Sequence, residues 1–105
     1  MVLEVRIYRI APGRRDEFVA FYDRLALPAQ QAAGLDVLGQ FVSLEDEDTF
    51  VWLRRHESVE ARERAWDAFY SSAVWIEELA PIADELIVDT SRSLLVAPTP
   101  GSALT

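Results

Sequence analysis

The two strands most evident in this sequence each carry two unlike faces. In the opening segment Leu3, Val5 and Ile7 alternate with Glu4, Arg6 and Tyr8. A period of two marks extended chain, because successive side chains leave a strand on opposite sides. The segment from Thr49 to about His56 repeats the pattern, with Val51 and Leu53 on one side and Phe50, Trp52, Arg54 and His56 on the other. Two such strands belong in a sheet with one aliphatic face and one polar-aromatic face, and the rest of the chain has to cover at least one of them.

The remaining elements follow from breakers and helical spacing. Ala11-Pro12-Gly13 ends the first strand, since proline and glycine together favour a turn. Asp16 and Glu17 then suit the first turn of a helix whose apolar stripe is Phe18, Phe21, Tyr22 and Leu25. Pro28 interrupts that helix, and a looser piece from Ala29 to Ala33 stops at Gly34. Residues 35–44 read as a second strand with Gly39 at a bulge or a close backbone approach. The acidic run Glu45-Asp46-Glu47-Asp48 is a solvated hairpin loop; it lacks the spaced ligands and sharp-turn glycine of a calcium loop. Ser58 caps a helix from Val59 to about Ser71, with Ala61, Ala65, Ala68 and Phe69 inward. Trp75, Ile76, Leu79, Ile82 and Leu86 continue at helical spacing, divided into two short pieces by Pro81. The last strand is Ile87 to Val96, giving one domain over residues 1–97 and a loosely ordered tail over 98–105.

The order β-α-β-β-α-β is the ferredoxin-like α+β arrangement, a four-stranded antiparallel sheet with both helices on one face. The aliphatic sets Leu3/Val5/Ile7 and Val51/Leu53 are the expected partners of the helices, which leaves Glu4, Arg6, Tyr8, Phe50, Trp52, Arg54 and His56 uncovered. Phe50 and Trp52 on an open face would form an apolar patch, and two copies packed face to face would bury it as a dimeric α/β barrel. The expected partner is therefore a second copy of the chain, through the open sheet face.

Charge and composition narrow the function classes. Acidic residues outnumber basic ones 18 to 10, a formal net charge of −8, which repels nucleic acid and anionic membranes. With no cysteine, disulfides, thiolate nucleophiles and zinc–sulfur sites are excluded. The N-terminus lacks the apolar core of a signal peptide and no apolar run reaches membrane-spanning length, so a cytoplasmic protein is expected. A serine triad, a phosphate-cradling glycine loop and a dinucleotide fingerprint are all missing; no cofactor and no metal site are expected. The candidate catalytic residues are His56, Arg54 and Tyr8, and the candidate substrate contacts are Arg6, Trp52, Phe50 and Glu4. His56, the sole histidine, is the natural proton carrier near neutrality. Arg6 and Arg54 either form a cationic centre for a carboxylate, carbonyl oxygen or enolate, or they pair with Glu4. Tyr8, Trp52 and Phe50 supply aromatic walls for a flat small molecule, or simply packing. Trp66 and Trp75 fall on helix stripes and read as core or interface.

The chain resembles the NIPSNAP family of the dimeric α/β-barrel superfamily. The resemblance rests on Glu4-Val5-Arg6-Ile7-Tyr8 with Pro12-Gly13 and Phe18, then Leu27-Pro28, Gly39, Val51-Trp52-Leu53 leading to Glu57-Ser58, Trp75, and Leu94-Leu95 before the prolines. Where that family commonly alternates His, Trp and Tyr in its third strand, this chain has Trp52, Arg54 and His56. The resemblance implies the fold and the dimer. Its superfamily spans cofactor-independent monooxygenases, isomerases, cyclases and haem-handling enzymes, and fold alone does not choose among them. Two functions fit: a cofactor-independent oxygenase, isomerase or cyclase acting on a small aromatic or carbonyl-containing substrate, or a non-catalytic dimeric binding or interaction module.

Overall fold

In a computed structural model that describes residues 1–104, the chain forms β1 (Val2–Ile10), α1 (Arg15–Phe21), α2 (Leu27–Ala32), β2 (Asp36–Val42), β3 (Thr49–His56), α3 (Val59–Tyr70), α4 (Ala80–Leu86) and β4 (Ile87–Val96). Thr105, the end of the expected tail, lies outside the described residues; residues 97–104 form neither helix nor strand. The sheet order is β2-β3-β1-β4 with every pair antiparallel. This is the ferredoxin-like fold, with β1 and β3 central. No helix among the described residues is long and apolar enough to cross a membrane.

Local signals account for most element ends. Gly13 and Gly34 have positive φ, 76° and 84°, where a Cβ would crowd the carbonyl. Ser58 Oγ accepts the Ala61 backbone N–H at 3.0 Å and caps α3. The β2–β3 register shifts between Val37 and Gly39. There the ring of Phe41 lies so close that a Cβ on Gly39 would stand 2.9 Å from it.

The face assignment expected from sequence is inverted. The helices cover Glu4, Tyr8, Ile10, Phe50, Trp52, Arg54 and His56, all buried, while Leu3, Val5, Ile7, Val51 and Leu53 lie on the opposite, uncovered face. Phe50 and Trp52 are covered by the chain's own helices, not by a second copy. The reason is volume. The layer between sheet and helices is filled by large rings, with Phe50 4.9 Å from Phe18 and 5.1 Å from Tyr22 between ring centroids. The charged groups among them are one another's partners, so their burial is compensated.

Both crossovers contain a widened turn before their proline. Residues Tyr22–Ala26 and Val74–Leu79 are π-helical; the backbone N–H of Leu27 bonds to the Tyr22 carbonyl, and that of Ala80 to the Trp75 carbonyl. Each bonded residue immediately precedes the proline, whose missing N–H already breaks the regular ladder. The extra residue rotates the remainder of each crossover about its axis. Leu25, expected inside, is half exposed, and the inward row becomes Phe18, Tyr22, Ala26 and Gln30. In the second crossover Ile76 turns outward while Leu79 and Ala83 are buried. On α3 the expected inner Ala68 is exposed, and Phe69 is the buried residue of that helix.

Gly34→Ala forces a Cβ into the left-handed region and should cost roughly 1–2 kcal/mol, with Gly34→Asn costing less. Urea unfolding of the three proteins checks the order.

Candidate functional site

The helix–sheet layer is organised around one carboxylate. Glu4 faces Arg54 directly across the β1–β3 register, and its Oε1 accepts from Arg54 Nε at 3.1 Å and contacts His56 Nε2 at 3.0 Å. Its Oε2 accepts from Arg62 Nη2 at 2.9 Å, which brings α3 into the same cluster. Arg54 Nη1 donates to Gln30 Oε1 at 3.0 Å, and Gln30 Nε2 donates to the Tyr22 hydroxyl at 3.0 Å. The chain of bonds therefore ties β1, β3 and α3 to the first crossover. Glu4, Gln30, Arg54 and His56 are all buried.

Burial by itself would raise the Glu4 pKa. The Arg54 charge and the hydrogen bonds from Arg62, His56 and Arg54 outweigh it and hold the group at about 2, down from the ordinary 4.5. Two guanidiniums against one carboxylate leave a positive excess, and aromatic faces absorb it. The Arg54 guanidinium carbon is 4.4 Å from the Trp52 ring centroid and 5.5 Å from that of Trp66. Arg62 and Arg6 stand 4.8 and 5.1 Å from the same Trp66 ring.

Arg6 stands apart from this cluster. Its expected pairing with Glu4 is taken by Arg54, because Arg6 lies opposite Trp52 in the ladder and Arg54 lies opposite Glu4. Arg6 instead donates to the Thr90 carbonyl at 3.3 Å and lines an open cleft of about 470 Å³ together with Tyr8, Trp66, Tyr70, Trp75 and the start of β4. A small inner chamber of about 30 Å³, room for one water, shares Tyr8, Tyr70 and Trp75 with that cleft and reaches Trp52, Gln30 and Tyr22. Burial pushes the Tyr70 hydroxyl up to about 12 and raises that of Tyr22. Four buried side-chain atoms have no partner among the described residues: Arg6 Nε, Trp52 Nε1, Arg54 Nη2 and Arg62 Nε. All four are donors.

The seven candidates from sequence thus divide into three groups. Glu4, Arg54 and His56 form the cluster; Arg6, Tyr8 and Trp52 line the cleft or its inner chamber; Phe50 lines neither and is core. The sequence reading missed Gln30, Arg62 and Tyr70, and it set Trp66 aside as packing. Arg62 and Trp66 stand four residues apart on α3, a spacing that puts both on one helix face. Gln30 had no such signal, because its position depends on the widened turn. Among the described residues no group of three or more acidic, histidine or cysteine side chains is placed to hold a metal ion.

Because the folded Glu4 pKa lies below its unfolded value, its stabilisation is complete above about pH 4.5 and is lost as pH falls toward 2. The shift is worth about 3 kcal/mol. The stability gap between the protein and Glu4→Gln should shrink by about 2–3 kcal/mol between pH 6 and pH 2.5 in urea titrations; a constant gap would contradict the ionised cluster.

The family model for NIPSNAP matches residues 3–103. Among curated proteins none matches the chain. A NIPSNAP family protein with unknown function from Agrobacterium tumefaciens superposes with a TM-score of 0.90 at 19% identity, over 100% of this chain and 94% of the other. An uncharacterized NIPSNAP-like domain protein from Burkholderia xenovorans gives 0.87 at 22% identity, over 96% and 87%. An antibiotic biosynthesis monooxygenase gives 0.68 at 20% identity, over 95% and 100%. At these identities the likeness to solved structures is one of fold. The family match runs over nearly the whole sequence, and the chain belongs to the NIPSNAP family.

Proposed function

We propose that the cleft between sheet and helices binds a small, flat, oxygen-bearing molecule and that the protein turns it over as a cofactor-independent oxygenase, isomerase or cyclase. One observation carries this reading. Arg6 Nε on the cleft and Trp52 Nε1 on its inner chamber are buried N–H donors without a partner, and aromatic rings line the cleft alongside the carboxylates of Asp84 and Asp89. Such a site suits a planar ligand with acceptor oxygens. Arg6 would hold the anionic oxygen formed when the ligand loses a proton, and Tyr8, like Tyr70 a phenol on the cleft wall, would move one. An enolate or phenolate held in this way is a shared starting point for isomerisation, ring closure and reaction with dioxygen. The antibiotic biosynthesis monooxygenase of similar fold agrees with that class of chemistry.

A non-catalytic binding module has one observation in its favour. Glu4 and His56, the carboxylate and imidazole offered by the sequence, bond to each other and do not line this cleft. Salicylate is a suitable probe, being flat and carrying a carboxylate beside a hydroxyl. It should quench tryptophan fluorescence saturably, and Arg6→Met should weaken its binding roughly ten- to a hundredfold, the worth of a charged hydrogen bond. Equal affinity for both proteins sinks the site. Oxygen uptake with a dihydroxylated aromatic acid separates turnover from binding alone.

We also propose a homodimer through the open sheet face. That face carries Leu3, Val5, Ile7, Val51 and Leu53, with Phe41 52% and Leu94 58% exposed, an apolar surface of the kind that marks an interface. Light scattering should give twice the 11.9 kDa chain mass, and Leu53→Lys should give the monomer. A monomeric parent protein at micromolar concentration would overturn the dimer.

A further inference from the structure

A second cleft, also of about 470 Å³, opens at the other end of the layer. Leu35, Ala61 and Ala65 contribute its apolar wall, and the half-exposed ion pair of Arg55 with Asp36, 3.0 Å long, stands among its polar lining. His56 lines it as well, with a side chain only 5% exposed. His56 does not line the first cleft, so the two cavities approach the Glu4 cluster from different sides.

The tautomer of the neutral imidazole is set by its neighbour. Glu4 is ionised and a carboxylate only accepts, so the hydrogen in the 3.0 Å contact belongs to His56 Nε2. A neutral imidazole carries a single N–H, which leaves a lone pair on Nδ1. That atom has no hydrogen-bond partner among the described residues, and it is not one of the fully buried unpartnered atoms. In its neutral form the imidazole is thus anchored through Nε2 and bare at Nδ1, which is the arrangement of a base oriented by a carboxylate.

We propose that this second cleft is a binding site in its own right for a small molecule with an acidic hydroxyl, a phenol or an enol, and that His56 Nδ1 is the acceptor that takes its proton. In the transfer the ligand O–H bond breaks, its electron pair stays on oxygen, and an N–H bond forms at Nδ1. The imidazolium so formed rests against Glu4, and the proton returns when the ligand is released. Glu4 is the positioning residue: it fixes which nitrogen is bare. The apolar wall of Leu35, Ala61 and Ala65 suits the ring or alkene that carries the hydroxyl.

His56 is the only histidine in the chain, so its two ring nitrogens can be read in ¹⁵N spectra of the full-length protein without ambiguity. The expected spectrum has a protonated Nε2 and a bare Nδ1. Titration with 4-nitrophenol should move Nδ1 saturably toward its protonated position, with a matching rise in phenolate absorbance that His56→Gln abolishes. Ala61→Leu narrows this cleft and should weaken the phenol response at least tenfold while leaving the salicylate response of the first cleft unchanged. A proton found on Nδ1 in the free protein, or an Nδ1 signal that 4-nitrophenol does not move, would overturn the proposal. So would a phenol response that Ala61→Leu leaves intact.

Discussion

The buried carboxylate of Glu4 is the contact on which the rest of the interior depends. It accepts from two guanidiniums and an imidazole drawn from β3 and α3, and Arg54 passes the connection to the first crossover through Gln30. Removing one member of such a cluster leaves the others charged and out of water, which costs far more than losing an exposed ion pair. The aromatic rings around it carry a second function. Trp66 stands within cation–π distance of Arg6, Arg54 and Arg62, so a single side chain couples the cluster to the wall of the first cleft.

Much of the fold was legible because its signals are local. The bounds of β3, the cap at Ser58, the stop at Gly34 and the irregularity at Gly39 each follow from a few neighbouring residues. Which sheet face the helices cover was not legible, for a physical reason. Alternation states that the two faces differ and carries no sign. The usual tie-breaker sends charge outward, and here it misleads, because Glu4, Arg54, Arg62 and His56 satisfy one another across elements far apart in sequence. The candidate site was legible as a set of residue types more than as an arrangement. Six of the seven residues chosen from sequence reach the cluster or the first cleft and its inner chamber, and the pairing among them rests on the β1–β3 register.

The arrangement separates tasks that the sequence had assigned to one place. Arg6 and Tyr8 address the cleft at the β4 side, whereas His56 addresses the opposite end of the layer. Between them lie Glu4 and Arg54, whose charges are held by hydrogen bonds and ring faces.

The widened turns make residue count part of the chain's information. From Tyr22 to Ala26 and from Val74 to Leu79 the helix carries one residue more than its regular repeat, and each residue of a helix turns its successor by about 100°. Deleting a residue there would leave a good helix with the wrong side inward, so that Gln30 no longer faces Arg54. Side chains on the outer face of these crossovers can therefore be exchanged with the interior still aligned, provided the spacing between the turn and the next strand is preserved. In this family length is expected to be inherited more strictly than identity, and a gap within either segment would mark a chain whose cavity has been rebuilt.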